Sequence, residues 1–357
     1  MNLYGCYNVS NQSKRRAALC KLVCEKQVGE ADKLGKYVLK RLLMLIPVLL
    51  GVVFIIFCLN EISPGDPARQ LAGDLATDAD VQQLREEMGL DKPFMVRFVN
   101  YIVGLVTRGD FGTSYATKRP VLDEVMDRFP TTLLLACLST CIMLLIGIST
   151  GILSATRQYT WVDSLCNVFG LVGVSMPNFW TGLMLILLFS IYLGWFPSSG
   201  FYGPQYWVLP AVTIGSSNAA TIMRMTRSSM LEVLHQDYIR SARAKGLSEG
   251  TIIRKHALKN ALVPILTVVG MTFGTLLGGA LVTETVFGIP GLGKYMVDAI
   301  KLRDYPVIQG GVLIMAIISS LVTLGVDVLY AFVDPRLLAM YRGNKKSKKA
   351  KEASAHA

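Results

Sequence analysis

The sequence predicts an all-α integral membrane protein of about six transmembrane helices, with a small extracytoplasmic domain after the first. Three observations carry that expectation. Hydrophobic residues make up 52% of the chain and charged residues 17%, with mean hydropathy +0.44, more apolar surface than a soluble core of 357 residues absorbs. Several apolar runs approach the roughly 20 residues that a bilayer crossing needs. The cations gather beside these runs and in the tail, so the formal net charge of +11 reads as membrane topology. With no recognition motif and no large polar domain, that charge does not imply a nucleic-acid partner.

Residues 1–33 are polar, mixed in charge and without an apolar signal core, so they are expected to be an unfolded cytoplasmic extension. An extension specific to this protein and an upstream start are open alternatives. Cys20 and Cys24 stand there with three residues between them, with only Cys6 near and no histidine, which argues against a metal site. The remaining cysteines, Cys58, Cys137, Cys141 and Cys166, lie in or beside apolar runs and read as small hydrophobes.

The first span is assigned to residues 34–61, around the run Leu42–Leu59, and Lys33, Lys36, Lys40 and Arg41 before it place the N-terminus in the cytoplasm. Two prolines and a glycine in SPGDPA, Ser63–Ala68, end it. Residues 62–129 form the extracytoplasmic domain, with a helix near Asp80–Met88 closed by Gly89 and an amphipathic stretch from Phe94 to Val106. Residues 130–336 are the transmembrane core. Its second span is Thr131–Leu153. The third, Asp163–Leu193, carries Pro177, which either kinks it or marks the end of an interfacial helix. The fourth is Leu209–Met230, with Arg224 and Arg227 expected to snorkel toward the cytoplasm. The fifth is Ala261–Val282, where Gly270, Gly274 and Gly278 recur at every fourth residue, a ladder for close helix packing. Glu284–Gln309 returns outside, Val312–Phe332 is the sixth span, and residues 337–357 are a basic cytoplasmic tail. Six spans put both termini and the loop 233–260 on the cytoplasmic side.

That loop holds DYIRSARAKGL, a short basic amphipathic helix with Asp237 as N-cap, Tyr238, Ile239 and Ala242 on one face, and Arg240, Arg243 and Lys245 turned away. Gly246 ends it, and Ser248 can cap a second helix. A helix this short is marginal alone and needs a surface to dock on. Arg240–Gly246, RSARAKG, resembles the coupling loop of bacterial ABC importer permeases of the dipeptide, oligopeptide and nickel family, differing at Ser241 from that branch's usual threonine. Arg240 and Ser241 depart from the general Glu-Ala-Ala pattern of the wider family. SPGDPA, GLDKP (Gly89–Pro93), GDFGTSY (Gly109–Tyr115), SMPNFW (Ser175–Trp180), ETVFGIPGLG (Glu284–Gly293) and DVLYAFVDPR (Asp327–Arg336) resemble the same family in the right order, and most resemble its peptide-permease B subunits.

The resemblance implies a type I permease fold and half of a translocation pathway for short peptides, with nickel chelates or glutathione as the alternative cargo. It implies a second homologous permease, two ATPase subunits that use ATP and Mg, an extracytoplasmic binding protein and the lipid of the bacterial inner membrane. By the same likeness Asp237, Tyr238, Arg240, Ser241, Ala242, Arg243, Ala244, Lys245, Gly246 and Leu247 face the ATPase, and Pro177, Glu284, Pro290 and Gly291 belong to the pathway or its outer gate. Asp327, an acid deep in the last span, is a further pathway candidate because burying a carboxyl in lipid is costly.

No catalytic set, cofactor site or metal site is expected in this chain: the histidines are His235, His256 and His356, and neither H-E-x-x-H nor G-x-S-x-G occurs. GIPGLGKY, Gly288–Tyr295, matches G-x₄-G-K but places Tyr295 where a nucleotide loop needs Ser or Thr for Mg²⁺. A polytopic membrane hydrolase would need a nucleophile and base within the spans, which are missing, and an ion-coupled carrier would favour inverted repeats and several midplane acids.

Overall fold

The computed structural model describes residues 38–73 and 75–333. The N-terminal extension, the basic tail, the surroundings of Gly278 and the side chain of Asp327 lie outside the described residues. Contacts divide the chain between Leu50 and Gly51, and the first unit's described part is half of one helix. Among the described residues the fold is helical throughout, apart from one isolated bridge between Thr113 and Pro120.

Helix α1, Val38–Ile62, contains the run Leu42–Leu59 of the expected first span, whose residues 34–37 lie outside the described residues. Three helices follow outside it: α2, Pro67–Ala72, capped by the Asp66 carboxylate; α3, Asp78–Glu87; and α4, Phe94–Arg108. Thr77 and Asp80 form a reciprocal capping box, so α3 starts two residues before the expected position. Helix α5, Val121–Thr156, starts ten residues before the expected second span, directly after Pro120. Pro120 supplies an extended residue at the N-cap, and Asp123 and Glu124 favour the positive helix start.

The third span breaks. α6, Trp161–Ser175, and α7, Asn178–Leu185, with its π-helical continuation Ile186–Tyr192, meet at a bend of 104°. Pro177 ends the first half because it lacks the N–H to continue the ladder and drives the preceding residue into extended backbone, as Met176 shows at φ −85°, ψ 126°. α8, Pro204–Leu234, is followed by α9, Asp237–Ala244. The second half of the loop 233–260 is not a short helix of its own: α10, Glu249–Thr251, passes through a π-helical stretch, Ile252–Ala257, into α11, Leu258–Gly279, as one continuous rod. No Gly or Pro lies between Thr251 and Pro264 to stop it. Short helices α12, Leu281–Val286, and α13, Leu292–Leu302, then lead to α14, Tyr305–Val333.

Four of these helices are long and apolar enough to cross a membrane, or five if the bent pair counts as one span. α8 is long enough at 31 residues but less apolar. It packs on α5, α6 and α11, so protein covers part of its polar surface: Thr213, Thr226 and Ser229 are buried.

Glycines set the closest approaches. A Cβ on Gly151 of α5 would stand 2.5 Å from Thr226 Cβ and 2.8 Å from the Met223 carbonyl oxygen, and Gly147 one turn earlier meets Ile222 and the Ala219 carbonyl in the same way. The expected ladder on α11 packs against α14: Gly270 opposes the Val326 side chain, and a Cβ on Gly274 would lie 2.8 Å from Thr323 Oγ1, while the Gly274 carbonyl accepts from Ser319 Oγ at 3.0 Å. Gly151→Leu must push backbone aside and is expected to destabilise the solubilised protein by about 1–3 kcal/mol. Gly274→Leu, facing mainly a hydroxyl, costs less, and Gly325→Leu, with open space around it, is neutral. Thermal unfolding of the three variants in detergent checks this order.

Candidate functional site

At the expected coupling corner α9 rises for two turns and stops at Gly246, whose φ of +77° is the left-handed cap conformation that glycine takes without a Cβ penalty. The N-cap is Gln236 and not Asp237, which occupies the first helical position, where its charge still favours the helix start. Ile239 and Ala242 face inward and pack with Ala155 of α5, Met230 of α8, and Ile252, Ala257 and Ala261 of the fifth rod. Tyr238 is 42% exposed, and its hydroxyl accepts from Asn260 Nδ2 at 2.7 Å, tying α9 to α11. Arg243 clasps Glu249 across the turn at 2.7 and 3.3 Å, so it is not a free outward cation. Asp237, Arg240, Ser241, Ala244, Lys245, Gly246 and Leu247 are exposed and form the outer surface of the corner. A side chain at Gly246 would meet no atom of this chain, so only backbone conformation and whatever docks outside it restrict the position.

Immediately beneath lies a polar knot. Arg227 of α8 donates from Nε and Nη2 to the two carboxylate oxygens of Asp163 on α6, at 2.9 and 2.8 Å. Ser154 of α5 donates to Asp163 Oδ1 at 2.5 Å, Asn167 Nδ2 to the same oxygen at 2.9 Å, and the Tyr159 N–H to Oδ2 at 3.1 Å. Arg227 therefore does not snorkel: a fork of two N–H donors matches a carboxylate within reach, and the pairing lets both charges stay in an apolar bundle. Arg224, one turn away, stays exposed. Ser154 precedes Ala155 in sequence, so the knot and the apolar seat of α9 share one turn of α5.

On the opposite end the sequence strings meet. Gly291 caps α13, and the Leu292 N–H donates to Thr132 Oγ1 at 2.8 Å, while the Lys294 N–H donates to Glu284 Oε2 at 3.1 Å. Thr132 Oγ1 in turn donates a hydrogen bond to Glu284 Oε1 at 2.6 Å. Glu284 is fully buried, and a Cβ on Gly291 would overlap its carboxyl group. The glycine-rich turn and helix start that mimic a nucleotide loop thus hold an anionic group of the chain's own, which occupies the position a phosphate would need. Burial pushes the Glu284 carboxyl above its ordinary value of 4.5, opposed by the Thr132 and Lys294 donors. At the other end of α13, Asp304 is buried and accepts from Ser114 Oγ at 2.6 Å and from the Tyr115 and Ala116 N–H groups at 3.1 and 3.2 Å, so it anchors GDFGTSY. Gln70, just past SPGDPA, donates to the Lys301 carbonyl at 2.7 Å.

Glu284 and Gly291 therefore touch, with Pro290 in the turn between them. Pro177 stands apart from this group, yet the helix it starts reaches the same plate: a Cβ on Gly182 would lie 3.2 Å from the buried Phe287 ring. Thr132, Asp163, Arg227, Asp304 and Ser114 were not singled out as site residues from the sequence. Asp163 and Arg227 were readable as opposite charges near the same end of neighbouring spans, and Asp327 is thus not the one acid in a span region. Among the described residues no cluster of His, Cys, Asp and Glu could hold a metal ion.

A helical bundle with long apolar helices, glycine-tight packing and an exposed amphipathic corner describes a polytopic membrane transporter subunit. The chain belongs to the binding-protein-dependent permeases: residues 147–339 match the family model "Binding-protein-dependent transport system inner membrane component", and residues 34–136 match "Binding-prot-dependent transport system membrane comp, N-term". It is an inner-membrane permease subunit of the ABC importer type. It is 42% identical over 329 residues to the dipeptide transport system permease protein DppB of Alkalihalophilus pseudofirmus, covering 84% of this chain and 98% of that one. It is 45% identical over 301 residues to the glutathione transport system permease protein GsiC of Salmonella typhimurium, again covering 84% and 98%. In fold it is similar to the inward-facing MetNI methionine ABC transporter, with TM-score 0.50 and 21% identity over 59% of this chain and 96% of that one.

Two outcomes follow from this geometry. Asp163→Asn, which removes the charge but keeps the shape, leaves the partly exposed Arg227 without its counter-ion and should lower thermal stability by about 1–3 kcal/mol, with partial recovery when Arg227→Met is added; unfolding of the purified variants measures both. The raised Glu284 carboxyl means that the folded chain binds more protons than the unfolded chain from about pH 4.5 up to its folded value, so its contribution to stability falls as pH rises through that window. Glu284→Gln should flatten that part of the stability-against-pH curve.

Proposed function

We propose that this chain imports short peptides as one half of a translocation pathway, with a second homologous permease supplying the other half. Two ATPase subunits use ATP and Mg on the cytoplasmic side, and an extracytoplasmic binding protein delivers the cargo; the chain itself binds no cofactor and performs no bond chemistry. In this reading α8 is the fourth crossing and brings the total to six, both termini and residues 233–260 face the cytoplasm, and residues 62–129 lie outside. Likeness to a dipeptide permease and a glutathione permease over nearly their whole lengths is the observation that carries the reading. Glutathione is itself a modified tripeptide, and the GsiC likeness keeps it as the second cargo.

The exposed face of α9 around Asp237, Arg240 and Gly246 is proposed to seat in a groove of the ATPase. What supports this is the division of the helix: one face closed by a shared apolar cluster, the other left open, on a helix too short to exist for its own stability. When ATP closes the ATPase pair, α9 moves with its groove, and the bundle changes between outward and inward access. Glu284, Pro290 and Gly291 are proposed as part of the outer gate, Pro177 as the break that lets α7 reach it, and Asp327 as a pathway residue.

Gly246→Leu tests the coupling assignment. The spans and membrane level should be unchanged, while pull-down of the ATPase subunits or ligand-stimulated ATP hydrolysis in liposomes falls well below that of Lys349→Glu, a charge control in the tail. Normal association, stimulation and uptake by Gly246→Leu would remove the corner from the mechanism. Uptake of a labelled dipeptide against labelled glutathione by the reconstituted complex decides the cargo.

A further inference from the structure

The extracytoplasmic helix α4 carries two different apolar faces. Phe94, Phe98 and Tyr101 form the inward one, with ring centroids 5.4 Å from Phe57 for Phe98 and Tyr101 and 5.5 Å from Phe54 for Phe98. Arg97 on the same side pairs with Glu61. The second face is unpartnered. Met95, Val99, Val103 and Val106 recur at spacings of four, four and three, which places them along one side of the helix, and they are 60%, 52%, 50% and 77% exposed. Asn100 and Thr107 form a third, polar side that is also exposed.

The position of α4 on α1 says what covers the second face. The first polar residues at the outer end of α1 are Asn60 and Glu61. Phe57 and Phe54 lie about 6 and 10 Å inward of Glu61 along a helix rising 1.5 Å per residue. A helix packed on those two rings sits at the edge of the hydrocarbon layer. The neighbouring surface of α1 is apolar and open as well, with Ile55, Leu59 and Ile62 58%, 60% and 78% exposed, so the stripe on α4 continues a lipid-facing wall. Lys92 just before the helix and Arg108 at its end have no ion-pair partner among the described residues, which suits cations at the level of lipid phosphates.

We infer that α4 is an interfacial membrane helix: its Met95, Val99, Val103 and Val106 face lies among the acyl chains of the outer leaflet, with Lys92 and Arg108 against headgroup phosphates. The occupant is a phospholipid surface. The consequence is that the module containing SPGDPA and GDFGTSY is held at the bilayer by α4 as well as by its links to Lys301 and Asp304. This inference rests on the membrane crossing of α1 and not on the coupling assignment.

A genetically encoded nitroxide amino acid, placed singly at Val99, Val103 or Asn100 in the full transporter complex, leaves the seven cysteines untouched. The complex is reconstituted in vesicles of phosphatidylethanolamine and phosphatidylglycerol, and collision of each label with dissolved oxygen is compared with collision with a water-soluble nickel chelate. The expected result is an oxygen-to-chelate ratio several-fold higher at Val99 and Val103 than at Asn100. Equal ratios at the three positions would make the stripe an aqueous surface and overturn the inference. Protection of Val99 and Val103 from both reagents would assign the stripe to a protein partner and overturn it equally.

Discussion

The paired charge between Asp163 and Arg227 constrains the whole inner half of the molecule. Asp163 is buried and Arg227 only partly exposed, so their two hydrogen bonds hold α6 and α8 at one distance and one register. Ser154 extends the same constraint to α5, which makes three helices share one carboxylate. Glycines at 147 and 151 permit that closeness, because a side chain there would collide with α8 backbone or with Ile222 and Thr226 before the charges met. Charge and packing thus specify the same geometry, and a change in either is felt by the other.

The outer half solves a related problem with a different group. Glu284 is buried without a cation, so its acceptors are met by a hydroxyl and a helix-start N–H, which is a weaker arrangement than a bidentate pair and leaves the proton affinity of the carboxyl raised. Asp304 is met in the same manner by Ser114 and two backbone donors. Two acids near opposite ends of α13 therefore fasten it to α5 and to the GDFGTSY loop through hydrogen bonds to one hydroxyl and a few backbone groups each. Such contacts can be exchanged for water when the surface opens, whereas the Asp163 and Arg227 pair cannot be opened so cheaply. A stiff inner end and a more exchangeable outer end suit the proposed alternation of access.

The sequence shows the helices well because the bilayer demands long apolar runs: the second, fourth and sixth expected spans lie within single helices, while the fifth, Ala261–Val282, overruns the end of α11 at Gly279. It shows α9 and Gly246 well because amphipathic spacing and a glycine stop are local signals, although the N-cap is Gln236, one residue before the expected Asp237. It does not show that the stretch after Ser248 is the root of the fifth rod, since whether a polar helix stops or continues depends on a π-helical turn and on burial of Ile252 and Ala257 by other helices. Nor does it reveal Thr132 and Ser114, ordinary hydroxyl residues whose roles exist only because Glu284 and Asp304 are brought to them across more than 150 residues of chain. The nucleotide-loop mimicry of GIPGLGKY is the instructive case. The local geometry the motif encodes does form, a glycine turn opening a helix, but the group it holds is Glu284, and that pairing is a tertiary fact.

A lever made from a helix of eight residues works only if force applied to its outer face is not lost in its own bending. α9 is stiffened at four points: Ile239 and Ala242 in the apolar cluster, Tyr238 on Asn260, and Arg243 on Glu249 across the Gly246 turn. These connect it to the end of α8 and the root of the fifth rod, and Ala155 connects the same cluster to α5 one residue from the Asp163 knot. In the proposed motion, displacement of α9 carries these helix ends with it through the shared apolar cluster. Pro177 then fixes where that motion can change direction, because the 104° break between α6 and α7 separates the half held by Asp163 from the half that packs on Phe287.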